Sequence, residues 1–109
     1  MKPKVRKDAE GDLAGLETKA QEVAHLLTAM ANAKRLLVLC NLLDRERSVG
    51  ELAAIVGLSP AALSQHLGKM RTLKLVTTRR DGQTIFYRLT SREVREVLQT
   101  LDHLYCEPL

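Results

Sequence analysis

The 109-residue sequence predicts a mainly α-helical fold of about five helices and one two-stranded β-hairpin, assembled as a dimer. Three observations carry that expectation. Apolar residues recur at three- and four-residue steps through most of the chain. Two helix-start signals stand close together in SVGELAAIVGLSPAALSQHLGKMR. Around Asp81-Gly82 the apolar period falls from 3.6 to 2.

Composition bounds what such a fold can be. The chain is 45% apolar and 28% charged, with one Phe, two Tyr and no Trp, so its core is built from Leu, Val, Ile, Ala and Met. A chain this short builds a modest core, which favours association with a second copy. Seventeen Lys and Arg against thirteen Asp and Glu give a net charge of +4. Dimerisation doubles that charge on one body, which points to an acidic partner, nucleic acid being the commonest. No run approaches the roughly 18 apolar residues of a membrane span. The basic start MKPKVRK runs into DAEGD rather than into an apolar segment, so no secretory signal and a cytoplasmic location are expected. Thiols stay reduced in that compartment, so Cys40 and Cys106 read as sensing, metal-binding or inert residues rather than as a structural staple.

Residues 1–11 carry Lys2, Lys4, Arg6 and Lys7 without periodicity and read as a flexible basic arm, leaving 12–109 as one domain. Leu13, Leu16, Ala20, Val23, Leu27 and Met30 mark an amphipathic first helix. Asn32 is a cap candidate for a second helix, from about Lys34 to Asp44. That helix is apolar nearly all round and is therefore expected in the middle of the domain. Its thiol, Cys40, is either a small hydrophobe filling the helix face or a partner for Cys106.

Ser48 and Glu51 form a capping box for a short helix that stops at Gly57. Ser59 caps the next helix, with Pro60 at the first position, where its missing N–H costs nothing. Two short helices joined by a tight glycine turn make a helix-turn-helix. In the second of them Leu63, Leu67 and Met70 point inward, leaving Ala61, Ser64, Gln65, His66 and Lys69 outside. Small and polar groups suit a helix that enters a major groove; an ordinary amphipathic surface helix is the plainer reading. In VTTRRDGQTIFYRL, a turn centred on Asp81-Gly82 pairs Arg80 with Gln83 and Val76 with Tyr87. Val76, Thr78, Ile85, Tyr87 and Leu89 then face inward and Arg79, Thr84 and Arg88 outward, a basic hairpin of the kind called a wing. A last helix begins near Thr90 with Glu93 completing a capping box. Its stripe of Val94, Val97, Leu98, Leu101, Leu104 and Tyr105 exceeds what one small domain needs, so the first and last helices are expected to pair across a two-fold axis, with Pro108 ending the pattern.

The segments AMANAKRLLVLCNLL, SVGELAAIVGLSPAALSQHLGKMRTLKLV and RRDGQTIFYRL, in this order, resemble the ArsR family of bacterial winged-helix repressors over roughly residues 20–106. The resemblance implies a winged helix-turn-helix, a homodimer and double-stranded operator DNA as partner. Lys74 departs from it, standing in the bend where the family usually has Gly. The family's paired-cysteine metal motif falls on Glu51-Leu52-Ala53-Ala54, which has no thiol, and its final-helix metal site would find only Asp102 and His103. One thiol in the second helix and one at the end of the last is similar to the biofilm-growth-associated and sulfide-responsive repressors. That similarity implies that Cys40 and Cys106 become linked by a disulfide or polysulfide when sulfide-derived persulfides or oxidants act, so that the repressor leaves its operator. By this reading Ser59, Ala61, Ser64, Gln65, His66 and Lys69 meet DNA from the recognition helix, and Arg79, Arg80 and Gln83 from the wing. No catalytic residue, cofactor or metal is expected. The alternative within the regulators is a metal or arsenite sensor using Cys40, His103 and Cys106. The alternative outside them is a small thiol peroxidase, which the apolar surroundings of Cys40 and the neighbouring Glu107 disfavour.

Overall fold

The computed structural model describes residues 13–106, and their side-chain surroundings from residue 15 onward. The basic arm, Glu107 and Pro108 lie outside the described residues. The order is α1 (Leu13–Met30), α2 (Ala33–Asn41), β1 (Arg47–Ser48), α3 (Val49–Val56), α4 (Pro60–Thr72), β2 (Val76–Asp81), β3 (Thr84–Leu89) and α5 (Arg92–Tyr105). The five helices and the hairpin are therefore as expected. No single helix among them is long and apolar enough to cross a membrane, and α2 leaves α1 at 91°.

Local chemistry sets most of the boundaries. The Asn32 side chain accepts hydrogen bonds from the N–H groups of Lys34 and Arg35 at 3.0 and 3.1 Å and starts α2. Ser48 and Glu51 exchange both bonds of a capping box, at 3.0 and 3.1 Å. Gly57, at φ 69°, ends α3 in the left-handed region, and Ser59 caps α4 by accepting from Ala62 N–H at 3.2 Å. The bend after α4 repeats that device with a different residue. Leu75 N–H donates to Met70 O and Lys74 N–H to Arg71 O, both at 2.9 Å, with Lys74 at φ 62°. That is a Schellman closure with lysine in the left-handed position that glycine usually holds.

The core lies where α2 to α5 meet the hairpin. Val38, Leu39, Leu52, Leu63, Leu67, Met70, Val94 and Leu98 are buried, as are Val76, Tyr87 and Leu89 from the sheet. Each such side chain contributes on the order of 1.5–3 kcal/mol by leaving water.

Four details differ from the sequence expectation. The sheet has three strands in the order β1-β3-β2, because Arg47 and Ser48 pair with Tyr87 and Phe86. The hairpin register places Arg80 opposite Ile85 and Asp81 opposite Thr84, so the two loop residues are Gly82 and Gln83. Only the first of them has positive φ, at 64°, which suits a type II′ turn rather than the Asp-Gly type I′ turn. The shift is two places in pairing, so the inward face survives. Ser91, not Thr90, caps α5, accepting from Val94 N–H at 3.1 Å, while the Thr90 hydroxyl donates to Lys74 O. Finally, α2 is not buried all round: Val38 and Leu39 are covered, whereas Leu37 and Cys40 are exposed.

Candidate nucleic-acid interface and thiol cleft

Helix α4 presents the predicted polar face. Ser59, Ala61, Ser64, Gln65 and Lys69 are exposed, and Leu63, Leu67 and Met70 anchor the opposite side. The Ser64 hydroxyl donates to Pro60 O at 2.9 Å and is drawn toward its own helix. His66 is half-buried, with Nδ1 3.5 Å from Arg35 Nη1, so its ring leans toward α2 as well as outward. On the wing, Arg80 and Gln83 are exposed near the tip. Arg79 is engaged: its guanidinium pairs with both oxygens of Glu46 and lies 4.5 Å from the centre of the Phe86 ring. The Arg79 hydrogen bonds hold the Glu46 carboxyl below its ordinary range. The partner lies 33 residues away, beyond any local signal. A wing arginine expected to meet phosphate is in this structure the brace that joins the hairpin to the segment after α2.

The thiols come from opposite ends of the sequence into one place. Cys40 on α2 and Cys106, the C-cap of α5, line a cleft of about 350 Å³ with Leu36, Leu98, Leu101, Asp102 and Tyr105. Both are free and exposed. Burial pushes the Cys40 thiol up from its ordinary pKa, and the nearby Asp102 charge and Cys106 add to that. The Cys106 thiol donates to the Asp102 carboxylate, which, with some desolvation, pushes it up too. Both therefore rest as protonated thiols, the reverse of what a turning-over nucleophile needs. Asp102 is the residue that the sequence reading passed over at this site; its four-residue spacing from Cys106 on one helix was the available signal. His103 is elsewhere, beside a shallow depression lined by Glu96, Gln99 and Thr100. Among the described residues no three His, Cys, Asp or Glu side chains converge in a way that could hold a metal ion, so the Cys40, His103 and Cys106 ligand set is not assembled.

Helix α2 connects the two regions. Lys34 Nζ donates to Val56 O at 2.5 Å and ties α2 to the end of α3. Arg35 Nε donates to Ala29 O at 2.5 Å and ties α2 to the end of α1, while its other arm faces His66. Arg47 Nε reaches Asn41 O at 2.6 Å, and Arg95 Nη1 reaches Leu43 O at 2.7 Å, fastening the far end of α2 to β1 and α5. Cys40 thus sits on a helix tied at its start to the end of α3 and held just past its end by Arg95 of α5.

Residues 32–78 match the family model described as "Bacterial regulatory protein, arsR family". The chain is also 48% identical over 101 residues to the transcriptional activator HlyU of Vibrio cholerae, covering 93% of this chain and 94% of that one. It belongs to the ArsR family of bacterial regulatory proteins. The solved structure of reduced HlyU from Vibrio cholerae superposes with a TM-score of 0.82 at 48% identity, over 85% of this chain and 98% of that chain. The transcriptional repressor BigR from Xylella fastidiosa gives a TM-score of 0.78 at 38% identity, over 87% and 97%. The fold is accordingly the winged helix-turn-helix of ArsR regulators, and the protein is a transcriptional regulator that binds DNA through it.

Proposed function

We propose that this ArsR regulator is a cytoplasmic repressor that holds operator DNA as a homodimer and lets go when Cys40 and Cys106 become linked. The observation that carries this reading is the shared cleft: two thiols 66 positions apart in sequence line one cavity and have no other cysteine to compete for. Supporting it, one solved relative is described as reduced and another as a repressor.

The dimer would be built from the uncovered apolar faces of α1 and α5, where Val23, Leu27, Leu101, Leu104 and Tyr105 are exposed. Two recognition helices would then enter successive major grooves about 34 Å apart. Ser59, Ala61, Ser64, Gln65, His66 and Lys69 would face the groove, Gln65 being suited to bidentate pairing with adenine. Arg80 and Gln83 would reach the backbone from the wing that Arg79 braces.

The chemistry balances for either class of inducer. Two cysteine thiols and an organic trisulfide RSSSR give Cys–S–S–S–Cys and two RSH, each attack expelling one thiolate. Two thiols and a hydroperoxide ROOH give a direct disulfide, ROH and water. A direct bridge needs Cα atoms within about 7 Å, and one added sulfur relaxes that limit. The bridge would fix the end of α5 to α2, and through α2 it would turn each recognition unit against the dimer axis. A coupling of about 1–3 kcal/mol is enough to empty an operator.

The test uses duplexes selected by the reduced protein from a random pool. Treatment with diallyl trisulfide should add the mass of one sulfur less two hydrogens per chain and weaken binding at least tenfold, with dithiothreitol restoring it. Bridged protein that binds as tightly as reduced protein would refute the mechanism while leaving the DNA-reading assignment intact.

A further inference from the structure

The cleft that holds the thiols is almost entirely apolar, walled by Leu36, Leu98, Leu101 and the Tyr105 ring, and among the described residues Asp102 is the acidic side chain that lines it. A carboxylate on the rim of such a cleft, on the same helix as Cys106 and one turn before it, serves no ion pair among the described residues. It lines the cleft together with both thiols and helps push each of them up from its ordinary pKa. The titratable groups that face one another there are Cys40 from α2 and Asp102, Tyr105 and Cys106 from α5. Among the described residues no cationic side chain lines the cleft to offset the carboxylate.

We propose that Asp102 is the positioning residue that selects the reagents of the thiol pair, admitting neutral, apolar sulfur donors such as dialkyl polysulfides and turning away anionic ones. Two effects act together. The carboxylate beside the Cys106 thiol favours its protonated form, which slows indiscriminate oxidation. The negative charge, placed in the same cleft as both thiols, repels an approaching anion and leaves a neutral molecule of the same size unaffected. An apolar donor enters at no such cost and gains from the leucine walls.

The inference rests on the thiol-sensing reading for its biological meaning, but its test does not involve DNA. Alkylation of each cysteine by neutral iodoacetamide and anionic iodoacetate is followed by peptide mass spectrometry. In the folded protein the iodoacetamide preference at Cys106 should exceed that of the urea-unfolded chain by about two- to fivefold at low salt. Asp102→Asn should bring it back toward the unfolded value, speed alkylation of both thiols at neutral pH and move the alkylation pH profile downward. The change should be larger at Cys106, which is hydrogen-bonded to Asp102, than at Cys40, which is suppressed first by burial. Asp102→Glu should keep the preference. A folded wild-type preference no greater than the unfolded one would overturn the proposal, as would an Asn variant with the wild-type ratio. Failure of operator release by bridged protein, with the charge preference present, would instead sink the sensing reading alone.

Discussion

The groove-facing unit and the two terminal helices are built by opposite rules. In α3 and α4 each helix start is capped by its own sequence, the apolar residues other than Ile55 turn largely inward, and most exposed side chains are small or polar. In α1 and the last turns of α5 large apolar residues are exposed beside the polar ones: Val23 and Leu27 are each 51% exposed, Leu104 67% and Tyr105 82%. Helix α5 contains the change within itself, for Val94 and Leu98 are buried whereas Leu101 and Leu104, one and two turns further, are not. One unit is finished by its own chain. In the proposed dimer the other is finished by a second copy, and its stability would then depend on protein concentration in a way that the first unit's does not.

That contrast can be broken most sharply at Leu104. A charge there should leave the folded domain intact but drive it to monomers, and Leu104→Glu should lower operator affinity by about 100-fold or more because half of the site is lost. Sedimentation velocity and thermal melting separate the two effects; a dimeric Leu104→Glu variant would show that the apolar faces are not the interface. Within the finished unit the expected losses are smaller and differ in kind. Gln65→Ala should cost about tenfold at the cognate site while barely changing non-specific binding. Arg80→Ala should weaken every duplex alike and reduce the slope of log affinity against log salt by about one. Titrations at several salt concentrations distinguish them, and equal scaling in both variants would refute the division of roles. The smallest effect lies at the joint between the units. Lys74 holds a left-handed conformation that glycine adopts freely, so Lys74→Gly should raise stability by up to about 1 kcal/mol in denaturant unfolding, with no change in the salt slope.

How much of this was legible in the sequence follows the same division. The caps at Asn32, Ser48 and Ser59 were readable because a cap is made between residues two or three apart. The inward face of the hairpin was readable for the same reason, since alternation survives a change of loop position. The loop position itself was not: Asp81-Gly82 is a strong signal, yet the pairing of Arg80 with Ile85 depends on how the whole hairpin meets the core. Strand β1 has two residues and exists only through Tyr87 and Phe86, so no periodicity could announce it. The thiol pair was placed by family resemblance and not by physics, because nothing local brings position 40 to position 106. The engagement of Arg79 by Glu46 was invisible for the same reason, and it adds a partner within the protein to a residue whose charge had pointed to phosphate.

The four long side chains that fasten α2 to its neighbours, Lys34, Arg35, Arg47 and Arg95, all find peptide oxygens, at Val56, Ala29, Asn41 and Leu43. A peptide oxygen survives every replacement of the residue that carries it, save those that move the main chain. The frame is therefore written in four donors and asks nothing of the identity of their acceptors. Its lineage can rewrite those acceptor positions without loosening the joints that hold the domain in register.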